Sequence, residues 1–281
     1  MWPFSSSRPT VPVLRLAGPI GMATPLRPGL SIGMLSGPIE RAFSMSKLPA
    51  VALLINSPGG SAVQSSLILK RIRQLADEKE KKVYVFCEDV AASGGYYLAV
   101  AGDEIYADAS SIIGSIGVIA AGFGFDKAIE KLGVDRRVYT AGEHKSTLDA
   151  FRPENSDDIS RIKAIQKDIH EAFIGVVKER RGDRLAQLDD ELFSGAFWSA
   201  SKAMEFGLID GVSDVRSKMR DVFGDKVRLK MVPIAPGGLL GRLRRNPGAM
   251  SAGLLGDQAL TLGDDLVSAV ETRLLWSRFG L

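Results

Sequence analysis

Residues 50–60 (AVALLINSPGG) decide the fold, because an unbroken apolar run of strand length meets a Ser-Pro-Gly-Gly turn. Such a run is typical of a strand that is covered on both faces, as strands of parallel sheets are. Beyond the turn, apolar residues recur at spacings of three and four, which predicts an amphipathic helix with one buried face. That face is predicted to comprise Val63, Leu67, Ile68, Ile72, Leu75 and Ala76.

The same order of strand, glycine turn and helix recurs further along the chain. A strand is predicted at residues 83–88, a short apolar helix at 94–100 and another strand at 104–109, with Ser93-Gly94-Gly95 at the turn. Repeated β-α-β units place their strands side by side in parallel. We therefore predict an α/β fold with a mainly parallel sheet.

Weaker patterns predict the remaining elements. Residues 21–48 are expected to form a long loop with room for one helix. A long helix is predicted to begin at Ser156 as its N-cap and to bury one apolar stripe: Ile159, Ile162, Ile165, Ile169, Phe173 and Val177. Elsewhere we predict strands at 13–20, within 112–125 and at 137–140, and helices at 126–132, 199–206, 213–223 and 264–277.

Length and composition indicate one globular domain with extensions. Of 281 residues, 45% are hydrophobic and 25% charged, and the net charge of +3 does not indicate a nucleic-acid groove. We expect a catalytic domain at 49–234 between an N-terminal strand and loop segment at 1–48 and a linker with an amphipathic helix at 235–281. The sequence has neither a signal-peptide core nor a run of roughly 18 apolar residues, so we expect a cytosolic protein.

The single cysteine, Cys87, cannot form an intrachain disulfide. It follows the apolar run at 83–86, so we expect it to be a buried strand residue rather than a reactive thiol. No His, Cys, Asp or Glu residues recur with metal-ligand spacing in the sequence, and we expect catalysis to need no metal or cofactor.

Two glycine turns are candidates for chemistry. Gly59 and Gly60 precede a helix, where backbone N–H groups can stabilise a developing negative charge, although an ordinary strand-to-helix turn uses the same residues. Ser93 stands between a strand and a helix start, which suits a nucleophile. A serine in that position is also a common helix N-cap.

The order of these parts resembles the signal peptide peptidase A family of serine peptidases, whose fold is shared with caseinolytic protease P and the crotonase hydratases. The resemblance covers residues 13 to about 215. It rests on four segments: INSPGG at 55–60, ASGGYY at 92–97, IGSIGV at 113–118, and the late block from FSG at 193–195 to GLID at 207–210.

The resemblance implies roles for four residues. The family's nucleophile falls on Ser93, and its lysine base falls on Lys145 within the segment AGEHKS at 141–146. The backbone N–H groups of Gly60 and Gly94 would form the oxyanion hole. An ordinary lysine titrates near ~10.4, so a lysine that serves as the base must be buried and must lack acidic partners. Without the resemblance, Lys145 would be interpreted as a solvated loop residue or as a partner of a nearby carboxylate.

Other polar residues near these segments have alternatives of their own. His170 is expected on the polar side of the long helix, and His144 is expected to be an ordinary loop residue beside Lys145. In the family a serine or threonine near the lysine can help to orient it. Ser115 and Ser146 are candidates for that role, and neither is preferred.

The resemblance implies a Ser/Lys endopeptidase that cleaves small or unfolded apolar peptides, such as signal-peptide remnants. The alternatives are a crotonase-type acyl-CoA enzyme, a capsid-maturation protease and a non-catalytic scaffold of the same fold. Half-length members of the family assemble into rings in which serine and lysine can come from adjacent subunits, so we expect a homo-oligomer. We expect no counterpart here to the family's usual N-terminal membrane anchor, and this expectation weakens the signal-peptide prediction.

The tail at 235–281 offers one route to a membrane surface. Arg242, Arg244 and Arg245 precede the amphipathic helix, and such a pair can bind an anionic bilayer. Four acidic residues argue against this peripheral contact: Asp257, Asp264, Asp265 and Glu271. We favour packing of the tail against the body or against a neighbouring subunit.

Overall fold

The computed structural model describes residues 8–21, 29–142, 144–234, 270 and 272–281. The described strands are β1 (Thr10–Ala17), β2 (Ala50–Ser57), β3 (Lys82–Ala92), β4 (Glu104–Ala107), β5 (Ile112–Gly114), β6 (Phe197–Ser199), β7 (Gly211–Val212) and β8 (Arg228–Met231). The helices are α1 (Ile32–Ser44), α2 (Ala62–Glu78), α3 (Gly94–Ala99), α4 (Asp126–Lys131), α5 (Ser156–Arg181), α6 (Asp189–Leu192), α7 (Ala200–Glu205) and α8 (Val215–Phe223). A short 3₁₀ turn at Gly182–Arg184 follows α5, and residues 272–277 are helical.

The strands form one sheet in the order β6-β5-β3-β2-β1-β8, with β4 paired to β3 and β7 paired to β4. Neighbouring strands pair in parallel except β5 and β6. On its edge opposite β2, the long strand β3 has two partners in succession: residues 84–87 pair with β4 and residues 90–92 pair with β5. The predicted α/β fold with a mainly parallel sheet is confirmed.

The two central strands bury residues on both faces. Along β3, Val83 and Val85 enter the core beneath α1, α2, α3 and α5, whereas Tyr84 and Phe86 face α8 through Met219. Since successive side chains of a strand point to opposite faces, this unbroken apolar run requires a helical layer on each side. Cys87 is buried in the first of these layers, which confirms the prediction of a buried strand residue. Burial raises the pKa of its thiol to about 12.

The N-terminal half of the chain contains a helix that the sequence showed only faintly. Helix α1 begins after Ser31, whose hydroxyl accepts a hydrogen bond from the N–H of Met34, and it runs through Pro38. Its buried face includes Leu35 and Ile39. The prediction for residues 21–48 left room for one helix, and α1 is that helix. Glycine and proline had masked the helical spacing.

Two predicted apolar faces are only partly buried. On α2, Ile68, Leu69 and Ile72 are buried, whereas Val63 is 66% and Leu67 41% exposed. On α5, Phe173, Val177 and Arg181 are buried, whereas Ile165 and Ile169 remain exposed. Each helix packs against neighbouring helices along only part of its length, α2 against α1 and α3, and α5 against α3. The apolar period therefore extends beyond the residues that are buried.

Two further predictions are corrected. The N-cap of α5 is Asn155 rather than Ser156, because the Asn155 side chain accepts from the N–H groups of Asp157 and Asp158. The strand predicted at 137–140 does not form, because this exposed stretch lies away from the sheet and pairs with none of the described strands.

The tail can be followed only near its end. The predicted linker at 235–256 and most of the helix predicted at 264–277 lie outside the described residues. Phe279 packs against Val90, Ala92 and the ring of Phe197. Within the described ranges, no helix has the length and apolar character needed to cross a bilayer.

A buried ion pair joins α5 to the loop after α7. The guanidinium of Arg181 donates to both carboxylate oxygens of Asp210, at 2.9 and 3.0 Å, and to the carbonyl of Gly207. Burial alone would raise the pKa of Asp210, but the hydrogen bonds and charge of Arg181, together with the Ile105 N–H and the charge of Arg184, hold that pKa below its usual range. The pair therefore stabilises the fold at neutral pH, and this contribution is lost as the pH falls through the lowered pKa.

Asp210→Asn is expected to lower the free energy of unfolding by about 3–5 kcal/mol at neutral pH, because it leaves the Arg181 charge buried and unpaired. Glu205→Gln, which breaks the exposed Lys202–Glu205 pair, should cost less than about 1 kcal/mol. Urea denaturation of both variants at neutral and acidic pH measures the difference. Equal losses, or a difference that persists in acid, would contradict this account of the pair.

Candidate active site

Ser93 joins β3 to α3 in a backbone conformation that side-chain-bearing residues rarely adopt, with φ 53° and ψ −124°. Its N–H donates to the carbonyl of Gly114 at 2.8 Å, and its side chain is half-buried. Although Ser93 occupies the N-cap position of α3, its hydroxyl accepts no capping hydrogen bond. Helix capping therefore does not explain why a serine occupies this position. Residues held at a positive φ, as Ser93 is, cluster at functional sites.

The two glycine turns lie in direct contact. A Cβ added to Gly59 would lie 2.7 Å from Ser93 Cβ and 2.8 Å from the backbone nitrogen of Gly94. A Cβ added to Gly95 would lie 2.3 Å from the carbonyl oxygen of Ser57. Only glycines allow the turn after β2 to pack this closely against the turn that carries Ser93.

The Gly60 N–H points away from Ile20, the residue that runs beside it in the neighbouring segment. Ile20 N–H donates to Gly59 O at 2.8 Å, and Ser61 N–H donates to Ile20 O at 2.9 Å. Ile20 therefore bonds to the residues before and after Gly60. In a parallel pair the residue between two such bonds directs its own N–H away from the partner, so the Gly60 N–H points away from Ile20. Neither this N–H nor that of Gly94 donates to an acceptor within the described part of the chain. Both remain the predicted oxyanion donors.

Gly60→Ala is expected to destabilise the protein by roughly 3 kcal/mol or more and to abolish activity, because the new Cβ would lie 2.1 Å from Ile20 O at a residue with φ 139°. Gly175→Ala is the control. Its Cβ would meet nothing within 4 Å on the exposed side of α5, so it should stabilise by about 0.5–1 kcal/mol. Thermal denaturation separates the two, and a Gly60→Ala protein of normal stability would contradict the packing described.

Ser115 lies beside Ser93, because the Ser93 N–H bonds to the carbonyl of the preceding residue, Gly114. It is 5% exposed, its φ is 53°, and its N–H donates to Ala196 O at 2.7 Å. Its hydroxyl has no hydrogen-bond partner among the residues described. A buried hydroxyl without a hydrogen-bond partner in its own chain can form a hydrogen bond with a group from another chain.

His170 has a place that sequence reasoning missed. Its Nε2 lies 3.0 Å from the carbonyl oxygen of Ile116, the residue after Ser115, and the ring is half-buried rather than on an open polar face. The contact ties α5 to the loop beside Ser93. It joins residues 54 positions apart, and no local pattern could have indicated it.

Lys145 belongs to the arm, the name used below for residues 119–155 between β5 and α5. Its side chain is exposed and makes no hydrogen bond with Ser93. The loop that carries it is held by Asp149, whose carboxylate accepts from the Phe151 N–H at 3.0 Å and from Ser146 Oγ at 3.3 Å. One chain thus brings Ser93, Gly60 and Gly94 together, but it does not bring Lys145 to them.

The arm exposes several large apolar side chains to solvent in the single chain. Five of them are more than half exposed: Ile119, Phe123, Leu132, Val134 and Tyr139. His144 lies in the same exposed stretch, where its carbonyl accepts from Thr147 Oγ1. Large exposed apolar patches mark interaction sites.

Residues 76–223 match the family model of peptidase family S49. The chain belongs to this family. The matched range contains Ser93, Lys145 and Gly94, whereas Gly60 precedes it. Membership of S49, a peptidase family, favours the peptidase prediction over the acyl-CoA alternative.

Three relatives of this S49 chain show how far the similarity extends. A Brucella abortus chain named Na(+)/H(+) antiporter NhaA is 52% identical over 280 residues, which are 99% of this chain and 38% of that one. A Synechocystis sp. chain with a protease name is 30% identical over 83% of this chain and 82% of its own length. The chloroplastic serine protease SPPA of Arabidopsis thaliana is 31% identical over 66% of this chain and 30% of its own length.

Proposed function

We propose that this S49 chain is a serine endopeptidase whose nucleophile is Ser93 Oγ. The observation that carries the proposal is the strained Ser93 turn, whose hydroxyl caps no helix and whose backbone packs directly against Gly59. A serine with no helix-capping bond beside backbone N–H groups is the arrangement that acyl transfer needs.

The proposed reaction proceeds through an acyl-enzyme. Ser93 Oγ attacks the peptide carbonyl and passes its proton to the uncharged amine of Lys145. The N–H groups of Gly60 and Gly94 stabilise the oxyanion of the tetrahedral intermediate. The intermediate then collapses, the C–N bond breaks, and the leaving amine takes the proton from Lys145. The Lys145 amine then takes a proton from water as the water oxygen attacks the acyl carbonyl. The ester C–O bond breaks, and Ser93 Oγ regains its proton from Lys145.

Lys145 reaches Ser93 from a neighbouring subunit in this proposal. Two features support that arrangement: Lys145 is exposed in the single chain, and the arm that carries it exposes five large apolar side chains. An interface that covers the arm would desolvate the lysine, and desolvation favours the uncharged amine that a base must be. The active unit is then a homo-oligomer.

Ser115 would orient the incoming lysine. Its buried hydroxyl lies beside Ser93 and has no partner among the described residues, so it can accept a hydrogen bond from the Lys145 amine. Ser146 is the weaker candidate for this role, because its hydroxyl already donates to Asp149. Short apolar peptides in an extended conformation, including signal-peptide remnants, are the proposed substrates.

Labelling with a fluorophosphonate probe tests the nucleophile. The oligomeric protein should be modified at one serine, and peptide mapping should locate the adduct on Ser93. Ser93→Ala should abolish labelling, whereas Ser110→Ala, which removes an exposed hydroxyl after β4, should not affect it. A folded protein that resists the probe, or an adduct on another serine, would overturn the proposal.

A further inference from the structure

Ser57 is the last residue of β2 and lies between the two turns of the candidate site. It is fully buried, it pairs with Ala91 of β3, and its carbonyl oxygen packs against Gly95 at the start of α3. A polar side chain in such a place must satisfy its hydrogen bonds internally.

The hydroxyl of Ser57 uses both of its hydrogen-bonding functions. It donates to the carbonyl oxygen of Gly18 at 2.7 Å and accepts from the N–H of Gly59 at 3.2 Å. Gly18 in turn donates its N–H to Asn56 O at 2.9 Å. Since the hydroxyl proton is engaged and the side chain is inaccessible, Ser57 is not a nucleophile. It ties the end of β1 to the turn after β2.

The turn that Ser57 holds determines where the Gly60 N–H points. The hydroxyl fixes the peptide between Pro58 and Gly59 through the Gly59 N–H. The next peptide is fixed by the bond from Ile20 N–H to Gly59 O. In a trans peptide the N–H is opposite the C=O, so the Gly60 N–H is aimed away from Ile20. Two successive peptides are thus locked, the first of them by the serine.

We propose that Ser57 is a positioning residue for the oxyanion hole: it holds the Gly59–Gly60 turn so that the Gly60 N–H faces the carbonyl attacked by Ser93. The inference rests on the proposed peptidase function. Without the hydroxyl, the Gly59 N–H and Gly18 O lose their buried partner, and the turn gains conformations in which the donor is misaligned. The loss should affect the transition state more than substrate binding.

Ser57→Ala is therefore expected to lower kcat about 10- to 100-fold with KM nearly unchanged, since loss of an oxyanion donor itself costs about 10²- to 10³-fold. The rate of fluorophosphonate labelling should fall in parallel, because the phosphonyl oxygen uses the same donors. Ser57→Cys, with a weak donor and acceptor of similar volume, should fall between alanine and the parent protein.

Ser111→Ala is the matched control. Ser111 is equally buried, and its hydroxyl also bonds to backbone, at Glu88 O and at the Asp108 N–H, but it touches neither glycine turn. It should lose similar stability and keep kcat within about threefold. All rates are compared at a temperature where each variant is folded.

Two results would overturn the inference. One is a kcat for Ser57→Ala that falls no further than that of Ser111→Ala. The other, which applies if alanine prevents folding, is a folded Ser57→Cys protein with full kcat. Failure of the proposed function looks different, because the unsubstituted protein would then not be labelled at Ser93.

Discussion

Ser93→Ala should lower kcat for peptide cleavage by about 10⁴- to 10⁶-fold, because the acyl-enzyme cannot form without the Oγ nucleophile. The remaining rate would come from substrate binding and the two backbone donors. The fold should persist, since the serine hydroxyl caps no helix and alanine keeps the Cβ that packs against Gly59. Cleavage of a quenched fluorescent peptide measures the rate.

The control for this prediction is Ser110→Ala, which should retain full activity. Thermal denaturation of both variants checks that a lost rate is not a lost fold. Undiminished cleavage by a folded Ser93→Ala protein would contradict the assignment of the nucleophile.

Lys145→Ala should lower kcat by about 10³- to 10⁵-fold, because no other group in the proposed mechanism accepts the Ser93 proton. Lys145→Arg should not restore the rate, since a guanidinium stays protonated. Initial rates of peptide cleavage by the two variants measure both effects.

The control here is Lys131→Ala, which removes another exposed lysine of the arm and should leave the rate unchanged. If Lys145→Arg were as active as the parent protein, the lysine would serve as a charge and not as a base.

Local patterns predicted the central part of the fold. The apolar runs that became β2 and β3, and the glycine turns that follow them, combine strand length with residues that demand a tight backbone. Ser93 and Gly60 were candidates for the same reason, and the family resemblance supplied their roles. The structure adds why both turns are rich in glycine, because their backbones touch.

Contacts between residues that are distant in sequence determine the features that local patterns could not predict. The stripe of α5 was predicted to be buried, yet Ile165 and Ile169 remain exposed in the single chain. Periodicity shows that a face is apolar, but it does not show whether the chain's own core or another copy covers it. The roles of Ser57 and His170 depend on partners distant in space, so no spacing rule could have found them.

The environment of Lys145 in the candidate site could not be predicted from local patterns either. The resemblance to a family selected it, while the chemistry of a base requires it to be buried, and one chain leaves it exposed. An interface between subunits reconciles these statements. The arm, with its exposed apolar side chains, is the surface that such an interface would cover.

Co-expression of Ser93→Ala and Lys145→Ala subunits tests the shared dyad most directly. Each protein is inactive alone, but in a mixed assembly the serine of one subunit can meet the lysine of the other. Random mixing in a head-to-tail ring should restore about one quarter of the parent activity, as intact pairs form at one in four interfaces. A mixed assembly that stays as inactive as its two components would contradict a Ser93–Lys145 pair formed between subunits.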